Sequence, residues 1–473
     1  MPDGGRPRVL LVDPYLARED PMERKSVELY PSLGLLQLGA YARAEGCDVR
    51  MVDLTFERDA APVAAAVRAF RPTVLGVHTK TLTVARSGEI AAIARTAGVF
   101  SVAGGPDSAT RPELYLDAGF DLVVTGEGEG TLVDVARARH RGEEAVGRPG
   151  TVGRRGGRTV RGHARPFLPE LDSLPLPAWD LLDMDRYLGE WEKRTGERRM
   201  AVLTSRGCPF DCSWCSKPTF GRNFRQQSPE RVIAELRALK ERYGVDYIRF
   251  CDDVFGISRP WIERLLDGLE RADLRIQFEC LARVDLLKPD LLHRLRAAGL
   301  ARVYVGVESG SQKMLDLMNR GTRLAQVERT AAALRAEGIR QFWFLMLGYP
   351  GETLEDIEAT LRLFRRFSPE EYSVSIAVPV PGTRFYDAVK ERLLGHPPKR
   401  SAGGTSLLYE AAYPEALYRW EQARFGLEAA LGKARGRLDA EVVERLGHVA
   451  DRFHERVATP LLVGRRPPRA KAE

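Results

Sequence analysis

The first 140 residues alternate short apolar runs with segments of helical periodicity. The apolar runs lie at 9–12, 49–54, 74–77, 99–103 and 122–124. A helical pattern of apolar positions follows each run. Five strand–helix units in succession predict a parallel sheet with helices on both faces, the doubly wound arrangement of Rossmann-like and flavodoxin-like domains. We expect this α/β domain to span residues 1–140.

The ends of these predicted strands carry small and polar residues. Ligands of open parallel sheets bind at the carboxyl ends of the strands. In this sequence those ends contribute Asp13, Asp53, His78, Thr79, Gly104, Gly105, Pro106, Gly126, Glu127 and Gly128. Glycines at such an edge allow a flat ligand to approach the backbone closely. The pattern predicts a ligand site at this edge.

Residues 141–198 are expected to form a hairpin and a proline-rich connector. Six arginines between 148 and 165 are compatible with a nucleic-acid surface. However, Gly156-Gly157 is a two-residue turn signal between roughly alternating segments, which favours an exposed hairpin. The prolines between 166 and 177 then predict a stiff connector.

A second alternation of strands and helices begins near residue 199. Its apolar runs lie at 200–203, 247–251, 276–281, 303–307, 342–347 and 372–378, and helical segments separate all six. This pattern is typical of a partial (β/α)6 barrel, whose chemistry lies at the carboxyl-terminal strand ends. We expect the barrel over residues 199–390 and a C-terminal helical domain over residues 391–473.

Composition narrows the class of protein. The chain has 473 residues, of which 44% are hydrophobic and 29% charged, and this excludes a disordered or fibrous protein. The formal net charge of +7 is small for this length and selects no partner by itself. We find neither the apolar core of a signal peptide nor a run approaching the roughly 20 apolar residues of a membrane span. We therefore predict a cytoplasmic protein without a membrane span.

Three of the six cysteines lie in one short loop after the first predicted barrel strand. Cys208, Cys212 and Cys215 form a C-x-x-x-C-x-x-C run. Three thiolates in one loop suit a soft metal or an iron–sulfur cluster. Structural zinc normally takes four ligands, and no fourth cysteine or histidine is close in sequence. Zinc and three reduced thiols remain alternatives, and Cys251 and Cys280 are expected to be buried strand residues.

The cysteine loop resembles the signature of radical S-adenosylmethionine enzymes, with Trp214 as the aromatic residue before the third cysteine. The resemblance covers residues 200–386. It implies that Cys208, Cys212 and Cys215 bind a 4Fe-4S cluster whose open iron chelates S-adenosylmethionine. In that family an electron, delivered by a donor such as a flavodoxin or ferredoxin, cleaves this cofactor to methionine and a 5′-deoxyadenosyl radical.

The same resemblance implies roles for residues at other barrel strand ends. Asp252 and Asp253 would accept hydrogen bonds from the cofactor amine, although the family commonly has a glycine-rich acidic motif there. Arg283 would pair with the cofactor carboxylate. Glu308 would contact the ribose, and the loop from Gly348 would contact the adenine. For each position, a surface carboxylate or a turn glycine is the alternative.

The front domain carries a second resemblance. The motifs in chain order are Pro31-Ser-Leu-Gly-Leu-Leu36, Gly104-Gly105-Pro106, Gly126-Glu-Gly-Glu-Gly130 and Leu174-Pro-Leu-Pro-Ala-Trp179. They are similar to those of the cobalamin-binding group of radical S-adenosylmethionine enzymes, which includes methyltransferases and anaerobic protoporphyrin ester cyclases. The resemblance implies cobalamin at Thr79 and at the two glycine-containing strand ends. The Asp-x-His-x-x-Gly loop of many cobalamin modules is absent, and His78 is interpreted as a structural histidine.

Together, the two resemblances imply an enzyme that methylates an unactivated carbon of a small-molecule or natural-product substrate by way of methylcobalamin. One alternative is a radical cyclase or rearrangement enzyme without net methyl transfer. A second is a tRNA-modifying enzyme, but the sequence has no recognisable RNA-binding module, so we do not expect a nucleic-acid partner. A third is a non-catalytic iron–sulfur sensor.

Overall fold

The computed structural model describes residues 5–20, 29–217, 219–395, 400–401, 404–434 and 439–463. The chain divides into two compact units. Unit 1 comprises Met1–Pro209, Lys217–Asp253 and Pro260–Ile276, and unit 2 comprises Phe210–Ser216, Val254–Arg259 and Gln277–Glu473. The domain boundaries expected near residues 140, 198 and 390 stay predictions.

Unit 1 contains a seven-stranded sheet with the order β2-β1-β3-β4-β5-β6-β7. Its strands are β1 (Arg8–Asp13), β2 (Asp48–Asp53), β3 (Val74–His78), β4 (Phe100–Gly104), β5 (Leu122–Val124), β6 (Thr151–Arg155) and β7 (Arg158–Arg161). The pairs among β1 to β5 are parallel. The strand order reverses at β1, as expected for a doubly wound sheet. The predicted five-strand pattern is confirmed.

Alternate residues of the central strands point into two different cores. Leu10 and Val12 of β1 are fully buried in one hydrophobic cluster. Val9 and Leu11 are buried in a second cluster on the opposite face. A parallel sheet covered on both faces needs apolar residues at every position, which explains why the strands read as continuous apolar runs.

The helices of this sheet follow the strands as the sequence pattern predicts. They are α1 (Leu33–Ala44), α2 (Ala61–Phe70), α3 (Val84–Thr96), α4 (Pro106–Thr110), α5 (Pro112–Asp117) and α6 (Glu129–His140). After the sheet, α7 (Met184–Thr195) precedes the barrel strands; Asp183 caps it by accepting a hydrogen bond from the backbone of Arg186.

The arginine-rich segment forms the predicted hairpin. β6 and β7 pair in antiparallel fashion around Gly156 and Gly157, which both have positive φ as this two-residue turn requires. Five of its six arginines form ion pairs with acidic side chains: Arg148 with Glu143, Arg154 with Asp117, Arg155 with Glu144, Arg161 with Glu113 and Arg165 with Asp134. The hairpin is not detached from the front domain, because β6 pairs with β5 and extends its sheet.

Unit 1 also holds the first barrel strands. These are β8 (Arg199–Val202), the short antiparallel pair β9 (Ser205–Arg206) and β10 (Arg225–Gln226), and β11 (Tyr247–Phe250), which pairs in parallel with β8. Helix α8 (Pro229–Tyr243) connects β10 to β11. Helix α9 (Arg259–Arg271) follows β11.

Unit 2 contains four parallel strands in the order β15-β14-β13-β12. They are β12 (Gln277–Ala282), β13 (Leu300–Glu308), β14 (Arg340–Leu347) and β15 (Glu371–Ile376). The helices between and after them are α10 (Pro289–Ala297), α11 (Gln312–Leu317), α12 (Leu324–Ala336), α13 (Leu354–Phe367) and α14 (Arg384–Val389). The six predicted strand–helix steps are therefore present along the chain.

The C-terminal part is helical. A small hairpin of β16 (Arg400–Ser401) and β17 (Gly404–Thr405) precedes α15 (Glu415–Ala434) and α16 (Ala440–Phe453). A π-helical turn over His454–Ala458 leads into α17 (Thr459–Val463). Residues 464–473 of the predicted C-terminal region lie outside the described residues. Among the residues that the structure describes, no helix is long and apolar enough to cross a membrane.

Candidate active site and cofactor cavity

The three cysteines lie in the irregular segment that follows β9. The turn into this segment requires Gly207, because its φ is +80° and a Cβ there would collide with the backbone carbonyl of Asn223. Cys208 is buried and its backbone N–H donates to the carbonyl of Gly221 at 3.3 Å. Cys212 is half-buried and Cys215 is exposed, and none of the three forms a disulfide.

Two buried arginines of unit 2 lie beside Cys212. Nη1 of Arg320 is 3.4 Å from its Sγ, and Nη1 of Arg283 is 4.0 Å from the same sulfur. Guanidinium groups at these distances stabilise negative charge on sulfur. A loop with three cysteines outside any disulfide and two such cations beside one of them has the chemistry of an anionic cluster site, so the residues present fit a 4Fe-4S cluster.

Arg283 is held rigidly in place. It forms a two-point pair with Asp285, donates to the carbonyl of Arg320 and lies 3.7 Å above the ring of Phe210. The predicted partner of this guanidinium is a cofactor carboxylate, and that role stays a prediction. In the structure, two of the Arg283 nitrogens already donate hydrogen bonds to Asp285.

Glu308 and Trp214 both lie against Arg320. Glu308 ends β13 at a bulge with φ of +65°, a conformation that non-glycine residues adopt only where the surroundings impose it. Its carboxylate is 3.8 Å from Nη2 of Arg320. Burial raises the pKa of Glu308, while Arg320 and Arg283 oppose that rise. The ring of Trp214 faces the same guanidinium at 5.7 Å.

The two aspartates after β11 differ in their surroundings. Asp252 is buried and accepts hydrogen bonds from the backbone of Thr204 and Ser205 and from the Thr204 hydroxyl. Burial raises the pKa of Asp252 to about 6. Asp253 is exposed. Cys251, expected as a buried strand residue, is also exposed because β11 ends one residue earlier.

Gly348 begins a tight loop after β14. Its N–H donates to Glu352 at 2.6 Å, and its carbonyl accepts from the hydroxyl of Tyr409. Burial raises the pKa of Glu352 to about 8. The loop that the sequence associates with adenine is therefore shaped by a buried glutamate and by a tyrosine from the C-terminal part.

Unit 1 contains a cavity of about 340 Å³ at the carboxyl ends of β1, β3, β4 and β5. Most of its wall is apolar and glycine-rich. Seven of the predicted strand-end residues line it: His78, Gly104, Gly105, Pro106, Gly126, Glu127 and Gly128. A Cβ at Gly104 or Gly126 would meet nothing closer than 3.9 Å, so the missing side chains leave room at the cavity floor. This cradle fits a flat, largely apolar ring such as a corrin.

Thr79 and Glu127 have partners within the chain. Thr79 is fully buried, donates to the carbonyl of Gly104 and accepts from the N–H of Ser108. Glu127 accepts hydrogen bonds from Arg206, Arg225 and the N–H of Leu168. Direct contacts of these two side chains with cobalamin stay predictions.

The partners of Glu127 link the front sheet to the cysteine loop. Arg206 bridges Glu127 at 2.7 Å and Glu129 at 2.6 Å, and Arg225 contacts Glu127 at 2.9 Å. All four side chains are buried. Because Arg206 stands two residues before Cys208, this network fixes the entry to the cysteine loop.

His78 lies at the cavity edge. Its Nδ1 is 3.0 Å from the hydroxyl of Ser32 and 4.0 Å from a carboxylate oxygen of Asp13. These contacts agree with the structural role that the sequence suggests.

Sequence reasoning assigned no role to Arg320, Arg206, Arg225 or Glu352. Each acts on a partner far away in the sequence or on a loop whose shape the sequence pattern does not define. The sequence indicated them only by position, because an arginine stands beside the cysteine motif and several acidic residues stand in or beside the glycine-containing motifs.

Two family models match the chain. The model of the radical SAM superfamily matches residues 202–364, and the B12 binding domain matches residues 24–136. An uncharacterised methyltransferase of Pyrococcus horikoshii is 31% identical over 394 residues, which is 82% of this chain and 84% of that protein. The anaerobic magnesium-protoporphyrin IX monomethyl ester cyclase of Rubrivivax gelatinosus is 26% identical over 377 residues, covering 77% of this chain and 67% of that protein.

Two solved structures share the fold. The cobalamin-dependent S-adenosylmethionine radical enzyme OxsB, with aqua-cobalamin and S-adenosylmethionine bound, gives a TM-score of 0.74 at 17% identity and covers 96% of this chain and 73% of its own. The radical S-adenosylmethionine methyltransferase TsrM of Kitasatospora setae gives 0.67 at 22% identity and covers 82% of this chain and 75% of its own.

These matches confirm the predicted fold class, the enzyme class and the three cofactors: 4Fe-4S cluster, S-adenosylmethionine and cobalamin. The chain belongs to the cobalamin-dependent radical S-adenosylmethionine methyltransferase family.

Proposed function

We propose that this protein methylates an unactivated carbon of a small organic molecule. The observation that carries the proposal is the composition of the cavity wall. Leu203, Ser205 and Arg206, which lead directly into the cysteine loop, line the same cavity as the glycines of the front sheet. A ring bound in this cavity therefore lies against the strand that enters the loop. Enclosing reactive groups in one site favours reaction with the intended atom and excludes water.

The residues of the chain have distinct roles in this proposal. Cys208, Cys212 and Cys215 hold the cluster, and Arg320 balances its negative charge. When bound, the cluster supplies the electron that cleaves S-adenosylmethionine, and cobalamin supplies the methyl carrier. Asp253 is the better candidate to accept the cofactor amine, because both oxygens of Asp252 already accept hydrogen bonds from Thr204 and Ser205.

We also infer an electron donor of the flavodoxin or ferredoxin type. Exposure of Cys215 supports electron entry at this side of the loop, since short distance to the protein surface favours transfer from a docked protein. A small molecule as the substrate fits the enzyme family to which the chain belongs.

The test is anaerobic reconstitution with iron, sulfide and hydroxocobalamin, followed by addition of reductant and S-adenosylmethionine. We expect S-adenosylhomocysteine together with 5′-deoxyadenosine, and a product that is one methyl group heavier than the substrate. A variant with Cys208, Cys212 and Cys215 all replaced by alanine is the control, and it should bind no cluster iron.

Other outcomes would contradict the proposal in distinguishable ways. 5′-Deoxyadenosine without S-adenosylhomocysteine would favour cyclisation or rearrangement, the chemistry named for the Rubrivivax relative. A stable cluster that yields no 5′-deoxyadenosine would indicate a sensor. Full iron content in the triple alanine variant would refute the cluster assignment.

A further inference from the structure

The wall of the cofactor cavity contains two buried polar side chains whose hydrogen-bonding capacity the described residues do not fully use. They are Gln227, directly after β10, and Glu235, in α8. Gln227 is 7% exposed and Glu235 is 2% exposed. Buried polar groups in folded proteins almost always form hydrogen bonds. Oε1 of Gln227 is a buried acceptor without a donor, and the Glu235 carboxyl group accepts no hydrogen bond from the described residues, so this part of the wall suits a polar group of a ligand.

Three hydrogen bonds fix the orientation of Gln227. Its backbone N–H donates to Thr204 at 2.9 Å, its carbonyl accepts from the indole of Trp261 at 2.6 Å, and Nε2 donates to the carbonyl of Leu203 at 3.1 Å. Since a carbonyl can only accept, the side-chain nitrogen must face Leu203. The remaining oxygen, Oε1, is buried without a partner. It is therefore a fixed acceptor.

Glu235 supplies the complementary group. It accepts no hydrogen bond from the described residues. Burial raises its pKa to about 7, and Arg231, one helical turn earlier, opposes that rise. The guanidinium of Arg231 donates to the carbonyl of Pro175. The other titratable or charged side chains on the cavity wall are His78, Glu127, Glu129 and Arg206, and Arg206 forms ion pairs with both glutamates.

We propose that Gln227 and Glu235 form a subsite for a peripheral carboxamide of the corrin ring. In this subsite the carboxamide N–H donates a hydrogen bond to Oε1 of Gln227, and the O–H of the neutral Glu235 carboxyl group donates a hydrogen bond to the carboxamide oxygen. The inference rests on the assignment of cobalamin to this cavity.

The chemistry of the two groups selects this ligand. An acceptor and a donor together match a group that has both a donor and an acceptor, and a primary carboxamide is such a group. An anion would meet the unpaired oxygen of Gln227, and an apolar group would leave both side chains unsatisfied. The rim of the corrin ring carries several primary carboxamides on short flexible arms.

The first test measures binding of hydroxocobalamin to the full chain by absorbance titration and equilibrium dialysis. We expect Glu235→Leu and Gln227→Leu each to weaken binding about tenfold, because each leaves one polar group of the ligand unsatisfied. Glu235→Gln retains a donor and should bind within about twofold of the wild type. Iron content after reconstitution serves as the folding control.

Thermal stability separates a binding role from a structural one. The cobalamin-free Glu235→Leu variant should melt at or above the temperature of the wild type, since an unpaired buried carboxyl group is removed. A structural role predicts the opposite, a lower melting temperature together with weaker binding. A variant that is more stable yet binds cobalamin less tightly supports the subsite.

The pH dependence of binding gives a second readout. Wild-type affinity should fall as the pH rises from 6 to 8.5, because the ionised Glu235 can no longer donate. The Glu235→Gln variant should show a flat profile over that range. Equal pH profiles for the two proteins would overturn the assigned role of Glu235.

Cobalamin derivatives identify the carboxamide. The b-, d- and e-monocarboxylic acids of hydroxocobalamin each replace one carboxamide with a carboxylate. One of them should bind the wild type about tenfold more weakly than hydroxocobalamin, and this difference should shrink in Gln227→Leu, as coupled groups do in a double-mutant cycle. If the leucine variants bind hydroxocobalamin like the wild type, the subsite is wrong. If the wild type itself does not bind it, the cobalamin assignment fails as well.

Discussion

The structure places beside the cysteine motif one residue, Arg320, to which the sequence assigned no role. Its guanidinium lies 3.4 Å from Sγ of Cys212 and is itself buried between Glu308 and the carbonyl of Gly306. The net effect of these surroundings raises the pKa of Arg320: burial alone would lower it, but Glu308 and Cys212 outweigh that effect. The side chain therefore stays charged beside the cluster ligand.

We predict that Arg320→Gln loses cluster iron several times faster than the wild type when challenged with a chelator. The neutral amide no longer balances the charge of the thiolate, and it leaves Glu308 without its cation. The measurement is iron and absorbance loss over time in anaerobic solution. Arg384→Gln is the matched control, because Arg384 pairs with Asp211 of the same loop. Equal rates for Arg320→Gln and Arg384→Gln would contradict the prediction.

The raised pKa of Glu352 predicts that the stability of the folded protein depends on pH. Its pKa is raised to about 8 by burial and by Asp356 and Glu421, while Gly348 and Lys313 act in the opposite direction. A carboxyl group with a raised pKa binds its proton more tightly in the folded state. Stability is therefore lost as the pH rises from about 4.5, the ordinary glutamate value, to about 8.

We expect Glu352→Gln to melt several degrees above the wild type at pH 8.5 and close to it at pH 5. The amide retains an acceptor for the N–H of Gly348 and cannot ionise. Thermal melts across this pH range test the prediction. A constant difference between the two proteins at every pH would show that ionisation of Glu352 is not the cause.

The sequence located the three cysteines but not Arg320, for a physical reason. Cysteine ligands of one cluster can lie in one loop, so their spacing is visible along the chain. Arg320 is 108 residues from Cys212 and approaches it only after β13 and α11 have folded. For Asp252, the sequence predicted a position at a strand end. Its partners, Thr204 and Ser205, could not be predicted because they depend on the tertiary structure.

At the scale of elements, the buried network of Glu127, Glu129, Arg206 and Arg225 joins the loop after β5 to β9 and β10. Arg206 and Arg225 face each other across the β9–β10 pair and share Glu127. Two cations on one carboxylate make Glu127 the central residue of the network. Removing one partner of a buried ion pair leaves charge without compensation.

Glu127→Gln should therefore destabilise the β9–β10 pair by about 3 kcal/mol. Hydrogen exchange of the backbone amides at 205–208, measured by mass spectrometry, reports this local opening free energy. Glu113→Gln is the control, since Glu113 pairs with Arg161 at the surface and an exposed pair contributes less than about 1 kcal/mol. Unchanged exchange in Glu127→Gln would mean that the network does not hold these strands.

Hydrophobic patterns predicted the elements well where they are buried on both faces. β1, β3 and β5 begin or end within a residue of the apolar runs that predicted them. The arginine-rich hairpin was predicted as a hairpin, but its pairing with β5 was not. Strand partners are set by contacts between distant segments, which a local pattern cannot specify.

At the scale of the whole molecule, the pairing of β6 with β5 bears on the position at which the front domain ends. Val152 of β6 is buried in the same core as Leu10 of β1. Ala145 and Val146, just before the hairpin, are buried in the core on the other face. Arg165, after the hairpin, donates to the hydroxyl of Thr131 in α6. We propose that the front domain extends to about residue 165 rather than to residue 140.

Fragments of the chain test this boundary. A fragment of residues 1–165 should be monomeric and melt cooperatively. A fragment of residues 1–140 should aggregate, because it exposes the hydrogen-bonding edge of β5 and opens both cores. Val152→Asp in the longer fragment places a charge in the core and should reproduce the defect of the shorter one. Equally cooperative melting of the two unmodified fragments would place the boundary at residue 140, because the hairpin would then add nothing to the stability of the sheet.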